Sequence, residues 1–186
     1  IIAVRDTARH QSGEVIERLR RLGIQRLLLL SGDHETTARQ LASEVGMDEL
    51  SAGLPPEQKV RYIDELRARY GSVAMVGDGV NDAPALAASS VGIAMGVRGS
   101  DATLETADVV LMSDDLSKLP ELFGLSKKTM RIIMQNVVLA LSLKLVFLIL
   151  GVFGLATLWM AVLADDGAAL IVILNGLRAL TYRDSA

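Results

Sequence analysis

The chain has 186 residues, 51% of them hydrophobic, and a formal net charge of -3, a size that suits one or two domains. With mild acidity, 4% aromatic residues and no basic patch, nucleic acid is not an expected partner; with no Cys, disulfides and thiolate metal sites within these residues are excluded. The opening Ile1-Ile2-Ala3-Val4 lacks both a Met and a charged region ahead of an apolar one, so it reads as an internal start, that of a fragment, and not as a signal peptide.

Taken in chain order, residues 1 to about 112 alternate short apolar runs with amphipathic stretches, the pattern of an α/β domain with a mainly parallel sheet. Gly13–Leu22 has helical spacing, and Ile24–Leu30 is a buried-strand run that ends at Ser31-Gly32-Asp33. Helical spacing returns over Glu35–Val45 and Glu57–Arg69. Val73–Val76 is a second strand, ending at Gly77-Asp78-Gly79, and Val91–Met95 and Val109–Met112 are shorter candidates. Both Gly-Asp turns therefore lie at the carboxyl ends of strands, where ligand sites of such sheets gather.

Beyond this point the composition changes. A polar, basic helix over 115–135, carrying Lys118, Lys127, Lys128 and Arg131, leads into an apolar zone. From Val137 to Leu180 the only formal charges are Lys144, Asp165, Asp166 and Arg178. Asn136–Val152 and Thr157–Leu177 are long enough to cross a hydrocarbon layer of roughly 30 Å, which takes about 20 residues. Phe153-Gly154-Leu155-Ala156 leaves room only for a tight turn between them. Cations flank both outer ends and none sits in the turn, so both ends are expected to be cytoplasmic.

Gly77-Asp78-Gly79-Val80-Asn81-Asp82-Ala83-Pro84 is the most specific string in the chain. Its glycines let backbone approach a phosphate closely. Asp78 on the turn and Asp82 in the first helical turn can converge on one hard cation, and Mg²⁺ takes a few carboxylate oxygens while leaving positions for water and phosphate. This string resembles the hinge motif of P-type ATPases, within the wider haloacid-dehalogenase-like superfamily. Ser31-Gly32-Asp33 looks like that family's Thr-Gly-Asp with the hydroxyl kept, Pro55-Pro56-Glu57-Gln58-Lys59 resembles its Pro-x-x-Lys segment, and Asp6 resembles the Asp after the strand returning from the nucleotide domain. Ser89-Ser90 departs from the family's frequent Ala-Asp.

The resemblance implies covalent catalysis through an aspartyl-phosphate made from ATP, chemistry that needs positioning and charge neutralisation more than proton transfer. It assigns Asp78 to Mg²⁺ with Asp82 and Asn81 beside it, Lys59 to neutralising phosphate oxygens, and the Ser31 hydroxyl, shaped by Gly32 and Asp33, to the phosphoryl group. The family's nucleophile lies in Asp-Lys-Thr-Gly-Thr, which does not occur in this chain. These residues alone are therefore expected not to turn over ATP.

Lys144 and Asp165 are charges in apolar helices, which by default point to function. Each is about eight or nine residues from the turn, or ~12–14 Å at 1.5 Å per residue, so the two are expected to meet at one level. Small Ala161, Ala168 and Ala169 share the face of Asp165, and bulkier Val162, Leu163, Leu170 and Ile173 that of Asp166; Asp165 is the expected inward carboxylate, since small residues allow close helix approach. The string from Leu158 to Gly167 resembles the Asp-x-Gly segment in the last helix of the zinc/cadmium/lead branch of heavy-metal P-type ATPases; Lys144 matches that branch's lysine, and Asn175-Gly176-Leu177-Arg178 its typical ending. The copper branch's combination of a Met and two Ser in the last helix and the cobalt-type branch's His-Glu-Gly-Gly are not present. A carboxylate also suits Zn²⁺ or Cd²⁺ better than Cu⁺.

Together these readings imply an α/β haloacid-dehalogenase-like partial domain with a Rossmann-like parallel sheet, followed by a two-helix transmembrane hairpin. Residues 1–114 would be the C-terminal part of a phosphorylation domain, 115–135 a connecting helix, and 136–186 the last two membrane helices with a short tail. The function implied is ATP-driven export of Zn²⁺, Cd²⁺ or Pb²⁺ across a bacterial plasma membrane, with Mg²⁺ and ATP as cofactors of the whole protein. Its partners would be the lipid membrane and the missing N-terminal part of the same pump, with its other membrane helices, actuator and nucleotide domains. The alternative is a membrane-tethered phosphatase of the same superfamily, which leaves Lys144 unexplained.

Overall fold

The computed structural model describes residues 12–77, 82–96, 106–113 and 115–180, and the chain divides into two compact units, Ile1–Pro120 and Glu121–Ala186. The first is α/β. Its elements run α1 (Ser12–Arg21), β1 (Leu28–Leu30), α2 (Glu35–Val45), β2 (Glu49–Ser51), α3 (Pro56–Tyr70), β3 (Ala74–Gly77), α4 (Ala83–Ala88), β4 (Val91–Met95) and β5 (Val109–Leu111). Every strand pair is parallel, as the alternation of strands and helices implies, yet the described strands form two ladders, β1-β2 and β3-β4-β5.

Differences from the expected elements have local causes. The strand run begins at Leu28 and not Ile24, because Ile24 belongs to the end of α1: its N–H reaches Leu19 O at 3.1 Å while Gly23 N–H reaches Arg20 O at 2.8 Å. This pair of bonds is a Schellman ending, with Gly23 at the left-handed φ of 88° that the motif requires. Strand β2, Glu-Leu-Ser, has no apolar run of its own and exists by pairing with β1 in register Leu28↔Glu49. At six residues, α4 is too short for a helical period to be read.

Among the described residues one buried cluster joins α3, β3 and α4. Ile63 and Leu66 of α3, Met75 of β3 and Ala85 and Leu86 of α4 are buried, with Leu28 and Leu30 of β1 and Val60 of α3 packed against them. The three-residue spacing of Val60, Ile63 and Leu66 is one helical face. Gly92 in β4 is required sterically, since a Cβ there would lie 2.8 Å from Leu86 O.

Two helices dominate the second unit. The basic stretch and the first apolar span, expected as separate segments, are one helix, α5 (Lys118–Val152, 35 residues); nothing between them breaks the backbone ladder, because the change at Asn136 is one of polarity and not of helix propensity. It begins beside an Asp115 carboxylate that accepts from Ser117 N–H at 2.9 Å and from its hydroxyl at 2.8 Å. At the other end Gly154, with φ 70°, permits Leu155 N–H to reach Leu150 O at 2.8 Å, and Thr157 caps α6 (Leu158–Gly176) by accepting from Met160 N–H. A short 3₁₀ turn, Leu177–Ala179, follows. Both helices are long and apolar enough to cross a membrane, and only 6% of each apolar window is buried within the chain. Leu158, Trp159 and Val152 are more than three-quarters exposed, which suits an apolar surrounding and not water.

Candidate phosphate-handling edge and membrane charge pair

The site in the first unit is built at the carboxyl ends of β1 and β3. After Leu30 the chain turns sharply: the Ser31 hydroxyl donates to Asp33 Oδ2 at 3.0 Å and accepts from Asp33 N–H at 3.1 Å. Backbone bonds tie this turn to the segment after β2, Gly53 N–H to Asp33 O at 3.0 Å and Leu54 N–H to Ser31 O at 3.1 Å. Gly32 is exposed and Ser31 half-buried. The start of β1 is pinned from below by Asp48, whose Oδ2 accepts from Leu27 N–H at 2.8 Å and whose Oδ1 meets Arg20 at 3.0 Å. The Leu27 bond, with help from Arg20, holds the Asp48 carboxyl below its ordinary range although partial burial opposes it.

At the second edge, Lys59 in the first turns of α3 meets Asp82 at the start of α4, with Nζ 2.6 Å from Oδ1. Their side chains are only 12% and 17% exposed, so this is a charge-assisted bond shielded from water. Asp82 occupies the N-cap position of α4 without capping it through its side chain; the carboxylate is turned to Lys59 instead. Gly77 makes the room: a Cβ there would lie 2.9 Å from Asp82 Oδ2 and 3.0 Å from its Cβ.

Of the residues expected to handle phosphate, the fold thus brings together Ser31 with Asp33 and Lys59 with Asp82, around one core. No direct bond joins the two pairs among the described residues. Asp6, Asp78 and Asn81 lie outside the described residues. Ser89 and Ser90, whose role the sequence did not reveal, are structural: the Ser89 hydroxyl donates to Leu86 O at 2.6 Å, and Ser90 Oγ accepts from Val73 N–H at 3.1 Å, pinning the α4–β4 turn to the start of β3. Two serines in succession offer no distinctive sequence pattern, so only the fold identifies these bonds.

In the second unit Lys144 and Asp165 meet as their matched depths imply, Nζ to Oδ1 3.6 Å, with 68% and 65% of their side chains exposed. Missed by sequence reasoning is a polar knot nearer the free ends of the hairpin. Asn175 donates to Asn136 Oδ1 at 2.8 Å, Asn136 donates to Val172 O at 3.3 Å, and Arg178 donates to Asn175 Oδ1 at 2.9 Å. Its signal was two asparagines at the start and end of apolar helices, which pass for boundary residues.

Among the described residues no group of three or more acidic, His or Cys side chains gathers for a metal. The chemistry of the Asp82 carboxylate, a hard oxygen donor over a glycine at a sheet edge, nonetheless fits Mg²⁺ as one of its few protein ligands.

Comparison with known proteins extends these observations. Residues 1–90 match the family model for haloacid dehalogenase-like hydrolases. A probable cadmium-transporting ATPase of Listeria monocytogenes is 51% identical over 184 residues, 99% of this chain and 26% of that protein. A zinc-transporting ATPase of Synechocystis is 48% identical over 95% of this chain and 25% of its own length. The crystal structure of a zinc-transporting PIB-type ATPase in its E2.Pi state superposes with a TM-score of 0.88 at 43% identity, over 95% of this chain and 28% of that one. The chain spans about a quarter of the length of the curated relatives it matches.

Proposed function

We propose that this chain, about half identical along 95–99% of its length to cadmium- and zinc-transporting ATPases, supplies the phosphoryl-handling edge and the last two membrane helices of a pump exporting divalent Zn²⁺, Cd²⁺ or Pb²⁺. The observation that carries this reading is the Lys144–Asp165 contact, 3.6 Å between two predominantly apolar helices. Two charges at one depth in two apolar helices are costly in lipid and suit an ion path. A carboxylate serves a divalent ion, and the lysine beside it balances its charge when the ion has gone. The tethered phosphatase is set aside, since relatives at about half identity over 95–99% of the chain are transporters.

In the soluble half, Ser31 has a hydroxyl that can turn from Asp33 Oδ2 to a phosphoryl oxygen, because Asp33 N–H continues to hold its oxygen in place. Lys59, fixed by Asp82, brings positive charge to the same edge. Asp82, with Asp78, would hold Mg²⁺, which when bound neutralises phosphate charge. Gly77 keeps the backbone clear of the Asp82 carboxylate, and Asn81 would stand beside it. The phosphorylated Asp, the ATP site and the remaining membrane helices belong to the N-terminal part of the same pump, so the isolated chain should release no phosphate from ATP. Both ends of the hairpin and the α/β unit would face a bacterial cytoplasm.

The test is made in the full-length pump. Asp165→Ala should abolish zinc-stimulated ATP hydrolysis; retained stimulation with unchanged metal binding would overturn the assignment of that residue.

A further inference from the structure

Asp165 and Asp166 are consecutive, so their side chains leave α6 about 100° apart, and something has to decide which of them meets Lys144. The turn at Gly154 anchors one end of the hairpin only. Along α6 the residues that are not fully exposed include Ala161, Ala164, Ala168, Val172 and Asn175, which recur at three- and four-residue steps, with Gly167 and Gly176 beside them; together they form the face against α5. Small and apolar for most of its length, that face offers little resistance to rotation or sliding. Asn175 is its one polar member. It lies within about 20° of Ala168 on the helix circumference, whereas Asp165 stands about 60° to one side and Asp166 about 160° away, nearly opposite.

On α5 the matching residue is Asn136. Its amide donates to Val172 O at 3.3 Å and its oxygen accepts from Asn175 Nδ2 at 2.8 Å, so a single side chain bonds both a backbone and a side-chain group of α6. Arg178 donates to Asn175 Oδ1 at 2.9 Å and orients that amide, leaving its NH₂ for Asn136. A bond to a backbone carbonyl is specific in rotation as well as in height, because the carbonyl does not move with a rotamer. Lys144 stands about 80° round α5 from Asn136, and its meeting with Asp165 shows that both charges flank the same side of this seam.

We propose that Asn136 and Asn175 are positioning residues: their bonds fix the rotation and height of α6 so that Asp165, and not Asp166, faces Lys144. The proposal rests on the reading of Asp165 as a ligand of the transported divalent ion. A rotation of one residue step would remove Asp165 from Lys144 and bring a carboxylate from the bulkier face. A polar side chain at one point of an apolar helix pair is a recurring means of setting register.

The experiment uses the full-length pump in membranes, with Zn²⁺ as the probe. Two readouts are taken: the Zn²⁺ concentration for half-maximal ATPase stimulation, and phosphoenzyme formed from inorganic phosphate, which reports the soluble half. Asn175→Ala is expected to raise the half-maximal concentration about tenfold while phosphoenzyme level and maximal rate stay within about twofold. Asn136→Ala, which also removes the bond to Val172 O, should raise it at least as far, and the double variant should be no worse than Asn136→Ala alone, because the bond between the two asparagines is shared. A purely structural role would instead lower maximal rate and phosphoenzyme together at an unchanged half-maximal concentration, and that result, or additive singles, overturns the proposal. Where Asn175→Ala accumulates too little pump, Asn136→Ser carries the same two readouts. Asp165→Ala is the control for the underlying reading. If it retains zinc stimulation at an unchanged half-maximal concentration, the ligand assignment fails; if it abolishes stimulation while the asparagine variants leave the half-maximal concentration unchanged, only the positioning proposal fails.

Discussion

The lysine–aspartate pair Lys59–Asp82 in the first unit and the pair Lys144–Asp165 in the second are unlike. Lys59 and Asp82 approach to 2.6 Å with 12% and 17% of their side chains exposed, inside a unit that supplies its own core. Lys144 and Asp165 stand 3.6 Å apart with about two-thirds of each side chain uncovered. In water an exposed pair of this kind contributes only ~0–1 kcal/mol, while in hydrocarbon a lone charge on either helix is expensive. The first pair therefore owes its weight to neighbours already present in the chain, and the second, in the proposed pump, owes its weight to the medium and helices around it.

This contrast can be broken experimentally. The largest effect is expected from Lys144→Met in the full-length pump, where Asp165 loses its counter-charge: metal-stimulated turnover should fall at least tenfold while phosphorylation by inorganic phosphate survives, measured on the same membranes. Asp82→Ala should do the opposite, reducing phosphoenzyme whatever the metal concentration. It should also destabilise the soluble unit by ~3 kcal/mol, because removing one partner strands a largely buried Lys59; urea denaturation measures this, and an unchanged midpoint would place the pair among inert surface contacts. Gly92→Ala should cost ~1–3 kcal/mol through overpacking, as its Cβ would meet the Leu86 carbonyl at 2.8 Å, with the membrane unit's metal response unaltered. Ser31→Ala removes one partner of the Asp33 turn and should cost ~1 kcal/mol, with a larger loss in phosphoenzyme than in stability.

The smallest effect concerns pH. Because Asp48 has a folded pKa below its unfolded value, its stabilising bonds are fully present above the unfolded pKa and are lost as pH falls through the folded one. Asp48→Asn should accordingly lower stability near neutral pH and converge with the parent protein under acid conditions, in denaturation curves taken across the carboxylate range. Parallel curves at every pH would remove Asp48 from the account.

Much was legible in the order of residues. Strands β1, β3, β4 and β5 are apolar runs closed by glycine or polar turns, and α2 runs over Glu35–Val45 as its spacing implies. Matched distances from the Phe153–Ala156 turn implied the meeting of Lys144 and Asp165, since a helix converts sequence separation into depth. Strand β2 was not legible because three residues without a pattern become a strand only when β1 lies beside them. Helix α5 was divided in the reading at a polarity change that the backbone ignores.

By itself, then, the sequence determined the alternation of elements, the apolar hairpin and the common level of Lys144 and Asp165, and it carried the resemblance of Gly77–Pro84 to a phosphate-handling hinge, because each is a property of local chemistry or of spacing along one helix. Only the tertiary structure decided that Asp82 turns to Lys59 and not to its own helix, that Ser90 holds Val73, and that Asn136 and Asn175 join α5 to α6. Those choices depend on which polar groups arrive within 3.1 Å of one another across 17 to 39 residues of chain, and short-range polar bonds leave no periodic trace by which a linear pattern could announce them.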